Sequence, residues 1–229
     1  MSVLTEHGLD TKSVVVDFGS GSGNLCLALA SVFTLTTFVF VDMNQTSLDI
    51  LSQRSRVAGL TNIKVIKFRF TRDNLEEFLQ HIRAIVGGGM DLGIGLHSCG
   101  SFTDLVMEVC RLASSDCLII PCCNGKIDLD LGGYPRSSAV SSIFTLEEYS
   151  LLSRAADDLS GSGSVSKYGM SEDDIANCRA KICVGLDRAM WAREAGAEVT
   201  CYKMEPVTAS PKHLMVYCHF RKFVEGELI

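Results

Sequence analysis

Residues Val14–Ala30 read VVVDFGSGSGNLCLALA, and this stretch decides the fold. A β-branched run ends in an acid. Three glycines follow on alternate positions, and then an apolar pattern with helical spacing begins. This is the order strand, tight turn, helix, in which the turn meets a ligand beyond the strand's carboxyl end. Glycine accepts positive φ and lets the backbone approach a bound molecule closely. The dinucleotide fingerprint needs G-x-G-x-x-G. Here Gly19, Gly21 and Gly23 give G-x-G-x-G, and Asn24 stands where the third glycine would be. The G-K-[ST] ending of a phosphate-cradling loop is absent.

Outward from that turn, strands and helices alternate. Strands are predicted at 13–18, 36–42, 62–68, 91–97 and 116–123. The intervening helices carry apolar stripes: Leu25, Leu29 and Val32; then Leu48, Leu51 and Val57 after an Asn44 cap; then Leu75, Phe78, Leu79, Ile82 and Ile85, ending at Gly87. Ser101 and Asp104 read as a capping box for the next helix, and Thr145 and Glu148 as another. Residues 124–144 read as loop and 158–173 as a flexible Gly/Ser linker. A long helix, about 171–194, carries Arg179, Lys181, Arg188 and Arg193 on what reads as a solvated face. Strands at 198–205 and 213–220 close the chain, joined too tightly to be parallel neighbours. The expected architecture is α/β: a Rossmann-like, mostly parallel seven-stranded sheet, antiparallel at its last strand, with helices on both faces. One domain is expected over 1–229, with a loop-helix insertion at about 124–197.

Composition narrows the class. The 229 residues are 47% apolar with a mean hydropathy of +0.22, which argues for a packed core. No apolar run reaches the roughly 18 residues of a spanning helix, and no secretory signal pattern opens the chain. Ten scattered cysteines without framework spacing lead to the expectation of a reducing, cytoplasmic setting. The formal net charge of −6 argues against gripping nucleic acid by global charge. Lys64, Lys67, Arg69 and Arg72 form a local basic cluster, readable as a solvated strand end or as part of a groove.

The ligand of the glycine turn follows from its acids. Asp17 would oppose a pyrophosphate but suits the amino-acid end and sulfonium of S-adenosylmethionine. Asp42, at the end of the second strand, is placed to accept from ribose hydroxyls, and Met43 to cover an adenine face. The candidate cofactor residues are therefore Asp17, Gly19, Ser20, Gly21, Gly23, Asp42 and Met43. A nicotinamide-binding oxidoreductase is the rival that the glycine spacing and the antiparallel end disfavour.

The segments VVDFGSGSGN, GLHSCGSFTDLVMEVC, PCCNGKI, YPRSS, LDRAMWAREAG and KMEPVTASPK span most of the chain. Through them it resembles the class I methyltransferase domain family, in particular the methyltransferase part of the glutathione S-transferase C-terminal domain-containing proteins. More distantly it is similar to a group of tRNA ribose methyltransferases. The resemblance implies a Rossmann-like methyltransferase fold, an S-adenosylmethionine site at Asp17 to Gly23 and Asp42, and an RNA or other macromolecular substrate. The short lead before the first strand gives the expectation of a protein partner in place of an N-terminal cover.

Chemistry is expected where strands four and five end. His97 is a candidate base near neutrality and Lys126 a candidate lowered-pKa base or phosphate contact. His97, Cys99, Cys122 and Cys123 lack metal-site spacing, so no metal is expected. Tyr134 and Arg136 are candidates to face substrate, with an ordinary turn fixed by Pro135 as the other reading. The competing functional reading is a catalytically silent binding module or partner subunit of the same fold.

Overall fold

The computed structural model describes residues 13–96, 98–121, 123–124, 127–128, 133–157, 172–203 and 214–220. Among the described residues seven strands form one sheet: β1 (Val14–Phe18), β2 (Thr37–Asp42), β3 (Ile63–Lys67), β4 (Leu92–Leu96), β5 (Asp116–Ile120), β6 (Ala197–Lys203) and β7 (Leu214–Phe220). Their spatial order is β3-β2-β1-β4-β5-β7-β6. The first five pair in parallel. β7 lies between β5 and β6 and is antiparallel to both. The expected mixed sheet is therefore present, and the last strand in sequence is an inner strand in space.

The helices are α1 (Cys26–Val32), α2 (Gln45–Val57), α3 (Leu75–Val86), α4 (Ser101–Ala113), α5 (Ser138–Ser141), α6 (Leu146–Ala155) and α7 (Glu172–Glu194). A 3-10 turn at Arg72–Asn74 leads into α3. Strand parity sorts the core. Val15, Phe38 and Phe40 pack with α1 and Leu51 of α2 on one face. Val16, Phe18, Val39 and Val41 pack with α3, α4 and Ala189 and Ala192 of α7 on the other. Burial on both faces is why these strands read as unbroken apolar runs.

Local signals place the helix ends well. The Asn44 side chain accepts from the Ser47 amide at 3.2 Å and starts α2. Thr145 and Glu148 form a reciprocal capping box on α6. Gly87 ends α3 at φ 74°. Four expectations need correction. The first helix starts at Cys26, not near Asn24, because residues 21–25 are used by the turn. Val32, Val57 and Ile85 are 56%, 84% and 40% exposed. Each lies in the final turn of its helix, where the apolar stripe outruns the surface that packs on the sheet. Ser101 and Asp104 do not form a capping box: Gly100 is the N-cap of α4, with no side-chain cap bond. Both side chains instead enter a buried network with Tyr134. Finally, α7 does not present its charges only to water, since Lys181, Asp187 and Arg188 are buried. The segment 133–157 covers this side of the helix, packing Val140, Tyr149 and Ala156 with Ala180 and Val184. The linker reading of 158–173 falls outside the described residues up to 171, and α7 begins at Glu172. Among the described residues no helix is long and apolar enough to cross a membrane.

Candidate functional site

β1 has β2 on one side and β4 on the other, so the strand order reverses there and a crevice opens beyond the strand ends. The turn after β1 fills one wall of it. The Gly19 and Ser20 amides donate to the Val41 carbonyl at 2.8 and 3.1 Å. The Gly21 amide donates to Asp42 Oδ2 at 2.9 Å, and the Asn44 amide to Asp42 Oδ1 at 2.8 Å. Asp42 thus fastens the turn to the end of β2. A carboxylate has about four acceptor positions, so this still leaves it able to accept from a ligand. Gly19 adopts φ 70°, and a Cβ there would lie 3.0 Å from the Phe102 ring. Gly23 at φ 78° would press a Cβ on Leu27 at 2.9 Å. Asn24 has its own use: Arg54 Nη1 donates to Asn24 Oδ1 at 2.7 Å and to the Ser22 carbonyl at 2.6 Å, clamping the turn from α2.

The cleft has a volume of about 420 Å³. Gly19, Asp42, Met43, Phe68, Phe70 and Phe102 line it. Phe70 lies 4.9 Å from Phe68 and 5.6 Å from Phe102, centroid to centroid, so the three rings form a continuous wall. Arg69, Cys99 and Leu105 complete the lining. The Phe wall and the Arg54 clamp were not read from the sequence. The signal for the former was KFRF at 67–70, an alternation that carries aromatic side chains past the end of β3.

Asp17 lies deeper. It is 3% exposed and is not part of the cleft lining. Burial pushes its carboxyl up to about 6; the hydrogen bond with the Cys26 thiol pulls it down, and the Asp42 charge pushes it up. Burial and the Asp17 charge in turn hold the Cys26 thiol well above its usual range. The Ser20 hydroxyl is buried and has no hydrogen-bond partner among the described residues. Such an orphan is unusual unless a ligand completes it.

These features fit an adenosyl cofactor. The ring wall and Met43 suit a purine, Asp42 suits ribose hydroxyls, and the Ser20 hydroxyl has bonds to give. Asp17 is a buried carboxyl next to the turn, suited to a cationic end.

A model of the methyltransferase domain family matches residues 2–129. The chain belongs to that family. The Drosophila melanogaster glutathione S-transferase C-terminal domain-containing protein homolog is 30% identical over 204 residues, which are 88% of this chain and 32% of that protein. The chain thus spans about a third of the length of such relatives. Among solved structures, the Methanococcus jannaschii fibrillarin pre-rRNA processing protein matches with a TM-score of 0.54 at 10% identity, over 93% of this chain and 68% of that one. Precorrin-6y C5,15-methyltransferase from Geobacter metallireducens matches with 0.51 at 8% identity, over 96% and 85%. Both likenesses speak to the fold alone.

Beside the cleft, this methyltransferase domain holds a buried polar network. Arg188 of α7 is 1% exposed. It donates to Asp104 Oδ1 at 2.9 Å, to Asn124 Oδ1 at 2.9 Å and to the Gly100 carbonyl at 2.9 Å. Tyr134 donates to Asp104 Oδ2 at 2.7 Å. The neighbouring Asp187 accepts from the amides of Arg136 and Ser137, each at 2.8 Å, and from the Tyr149 hydroxyl at 2.7 Å. One helix therefore fixes both the turn before α4 and the segment 133–149. Tyr134 and Arg136 are not presented on an open surface: the Tyr134 side chain is bonded into the network, and the Arg136 side chain is 9% exposed. Of the remaining candidates, His97, Cys122 and Lys126 lie outside the described residues. Cys99 lines the cleft.

Proposed function

We propose that the protein is an S-adenosylmethionine-dependent methyltransferase acting on RNA. The cofactor reading rests on the cleft, where a glycine turn, a strand-end carboxylate and an aromatic wall meet at the strand-order switch. When bound, S-adenosylmethionine supplies a methyl group on a sulfonium, an electrophile that needs a nucleophile held in line with it. Asp42 would hold the ribose, the rings of Phe68, Phe70 and Phe102 the purine, and Asp17 the cationic end. Ser20 would donate to an acceptor on the cofactor. His97 follows directly after β4 in the chain and Lys126 six residues after β5. These two are proposed to take the proton of an acceptor hydroxyl.

One observation carries the substrate class. Arg69 lines the cofactor cleft and Arg72 lines the adjoining cavity, and both are exposed and continuous in sequence with exposed Lys67 and Lys64. Arg69 and Arg72 at the mouth of the site, with Lys67 level with Asp42 at the end of β3, supply phosphate contacts locally, although the chain is acidic as a whole. The resemblance to tRNA ribose methyltransferases agrees with this.

The test has two stages. Calorimetry with S-adenosylmethionine, S-adenosylhomocysteine and NADH should show saturable binding of the two adenosyl ligands only. Labelled methyl transfer should then be measured on total RNA and on total protein. Label in RNA that falls on raising salt and on Arg69→Ala supports the reading. Label in protein alone overturns the substrate class, and adenosyl binding without transfer to either pool points to the silent module.

A further inference from the structure

A second cavity of about 380 Å³ lies between α3, α4 and α7 and shares Leu105 with the cofactor cleft. Its distinguishing feature is Arg136. The guanidinium sits 4.1 Å over the ring of Trp191, and its side chain is nine-tenths buried. Its Nε and Nη2 atoms have no hydrogen-bond partner among the described residues. These two nitrogens form one edge of the guanidinium, with parallel N–H bonds suited to a bidentate acceptor. The nearest carboxylates, Asp104 to Nε and Glu108 to Nη2, are each 3.9 Å away, too far for a direct hydrogen bond. A buried donor edge left unmatched is costly, and here it faces a cavity.

The lining decides what would match it. Asp73, Glu76, Asp104 and Glu108 border the same space with Arg72 and Arg136, so a simple anion would meet four carboxylates against two guanidiniums. A cation would meet the buried guanidinium. A neutral planar group with two adjacent acceptors on one edge and a donor on another satisfies both: the acceptors take the Arg136 edge and the donor reaches a carboxylate. Leu75, Leu105 and Leu112 offer apolar surface to its ring. We infer that this cavity is a nucleobase subsite, holding a base of the RNA whose acceptor atom reaches the cofactor cleft past Leu105. The inference rests on the RNA reading above and adds where a base is read. Arg to a base edge, with a carboxylate accepting from a base N–H, is a chemistry that specifies bases while phosphate contacts only position the strand.

Trp191 is the single tryptophan of the chain, so its emission reports this cavity alone. The full chain, saturated with S-adenosylhomocysteine, is titrated with a mixed-sequence RNA hexamer, with each nucleoside and with inorganic phosphate, exciting at the tryptophan red edge. The expected result is a saturable change in Trp191 emission with the hexamer and with at least one nucleoside, and none with phosphate. Arg136→Met should weaken hexamer binding at least about tenfold, the size of one good bidentate base contact, and Glu108→Gln severalfold. S-adenosylhomocysteine affinity, read by calorimetry, should stay within about twofold in both variants, as expected for side chains outside that cleft. Should Arg136→Met fail to fold, Glu108→Gln and the wild-type titrations still decide. A hexamer that binds by anisotropy without changing Trp191 emission overturns the subsite and leaves the RNA reading standing. A phosphate response equal to the hexamer's makes the cavity an anion site instead. Failure of every RNA to bind, with the adenosyl site intact, overturns both readings.

Discussion

The backbone N–H of Gly21 donates to the Asp42 carboxylate at 2.9 Å, so the residue suited to hold a ribose also shapes the glycine turn beside it. Its other oxygen accepts from the Asn44 amide at 2.8 Å, at the start of α2. Asp42→Ala should therefore lose both the ligand contact and the turn. A hydrogen bond to a charged group contributes about 1.5–3 kcal/mol, which corresponds to a loss of affinity of roughly ten- to hundredfold. Asp42→Asn keeps one oxygen acceptor and should fall between wild type and alanine. Calorimetric titration with S-adenosylhomocysteine gives the order directly. Equal affinity in all three proteins would mean that Asp42 serves the turn alone.

Asp17 gives a pH dependence with a definite sign. Its folded pKa is raised to about 6 from 3.8. The folded state therefore holds the proton more tightly than the unfolded chain does. Between those values stability falls as pH rises, by about 3 kcal/mol in total from this one group. The full benefit is present below the unfolded pKa and is gone above the folded one. A cationic ligand reverses the preference, since it favours the ionised carboxyl. The affinity for S-adenosylmethionine should rise from pH 5 to pH 7 and flatten beyond. Asp17→Asn should raise the melting temperature of the ligand-free protein at pH 8 and remove the rise in affinity. Identical melting curves for variant and wild type at pH 8 would show that the buried carboxyl costs nothing.

Gly19 tests the closeness of the cleft wall. Alanine there carries φ 70° and places a methyl group 3.0 Å from Phe102. The backbone alone costs about 1–2 kcal/mol for a non-glycine residue in this region. The Phe102 ring must also turn, and it belongs to the wall proposed for the purine. Gly19→Ala should weaken adenosyl binding by more than its stability loss suggests. Gly59, at φ 68° and with open space around it, is the control that carries the backbone cost without the ring. Equal ligand affinity in the two variants would remove Phe102 from the site.

How much of this was legible depended on sequence distance. The Asn44 cap and the Thr145–Glu148 box are written within four residues and could be read. The glycine turn and Asp42 could be read because strand order in an α/β sheet brings them together predictably. Arg188 could not: its partner Asp104 is 84 positions away, and a cation on a long helix otherwise reads as solvated. The same holds for Arg54, whose clamp on Asn24 spans 30 positions. Ser101 and Asp104 misled for the opposite reason. Their spacing suits a cap, but tertiary partners claimed both side chains.

That buried pair allows a direct measurement of what the network contributes. Arg188 serves Asp104, Asn124 and the Gly100 carbonyl at once, while Asp104 also takes the Tyr134 hydroxyl. Asp104→Leu leaves a buried guanidinium without its counter-charge, so it should cost about 3–5 kcal/mol in denaturant unfolding. Arg188→Met leaves Asp104 with its Tyr134 bond. It should cost less than Asp104→Leu but lower cofactor affinity, because the Gly100 turn ahead of Phe102 loses its anchor. In the double variant both charges are gone and leucine and methionine fill similar volumes. Its loss should be well below the sum of the single losses, and the difference is the coupling energy of the pair. Strictly additive losses would mean that Asp104 and Arg188 act on separate parts of the fold, leaving the Gly100 turn anchored by other contacts.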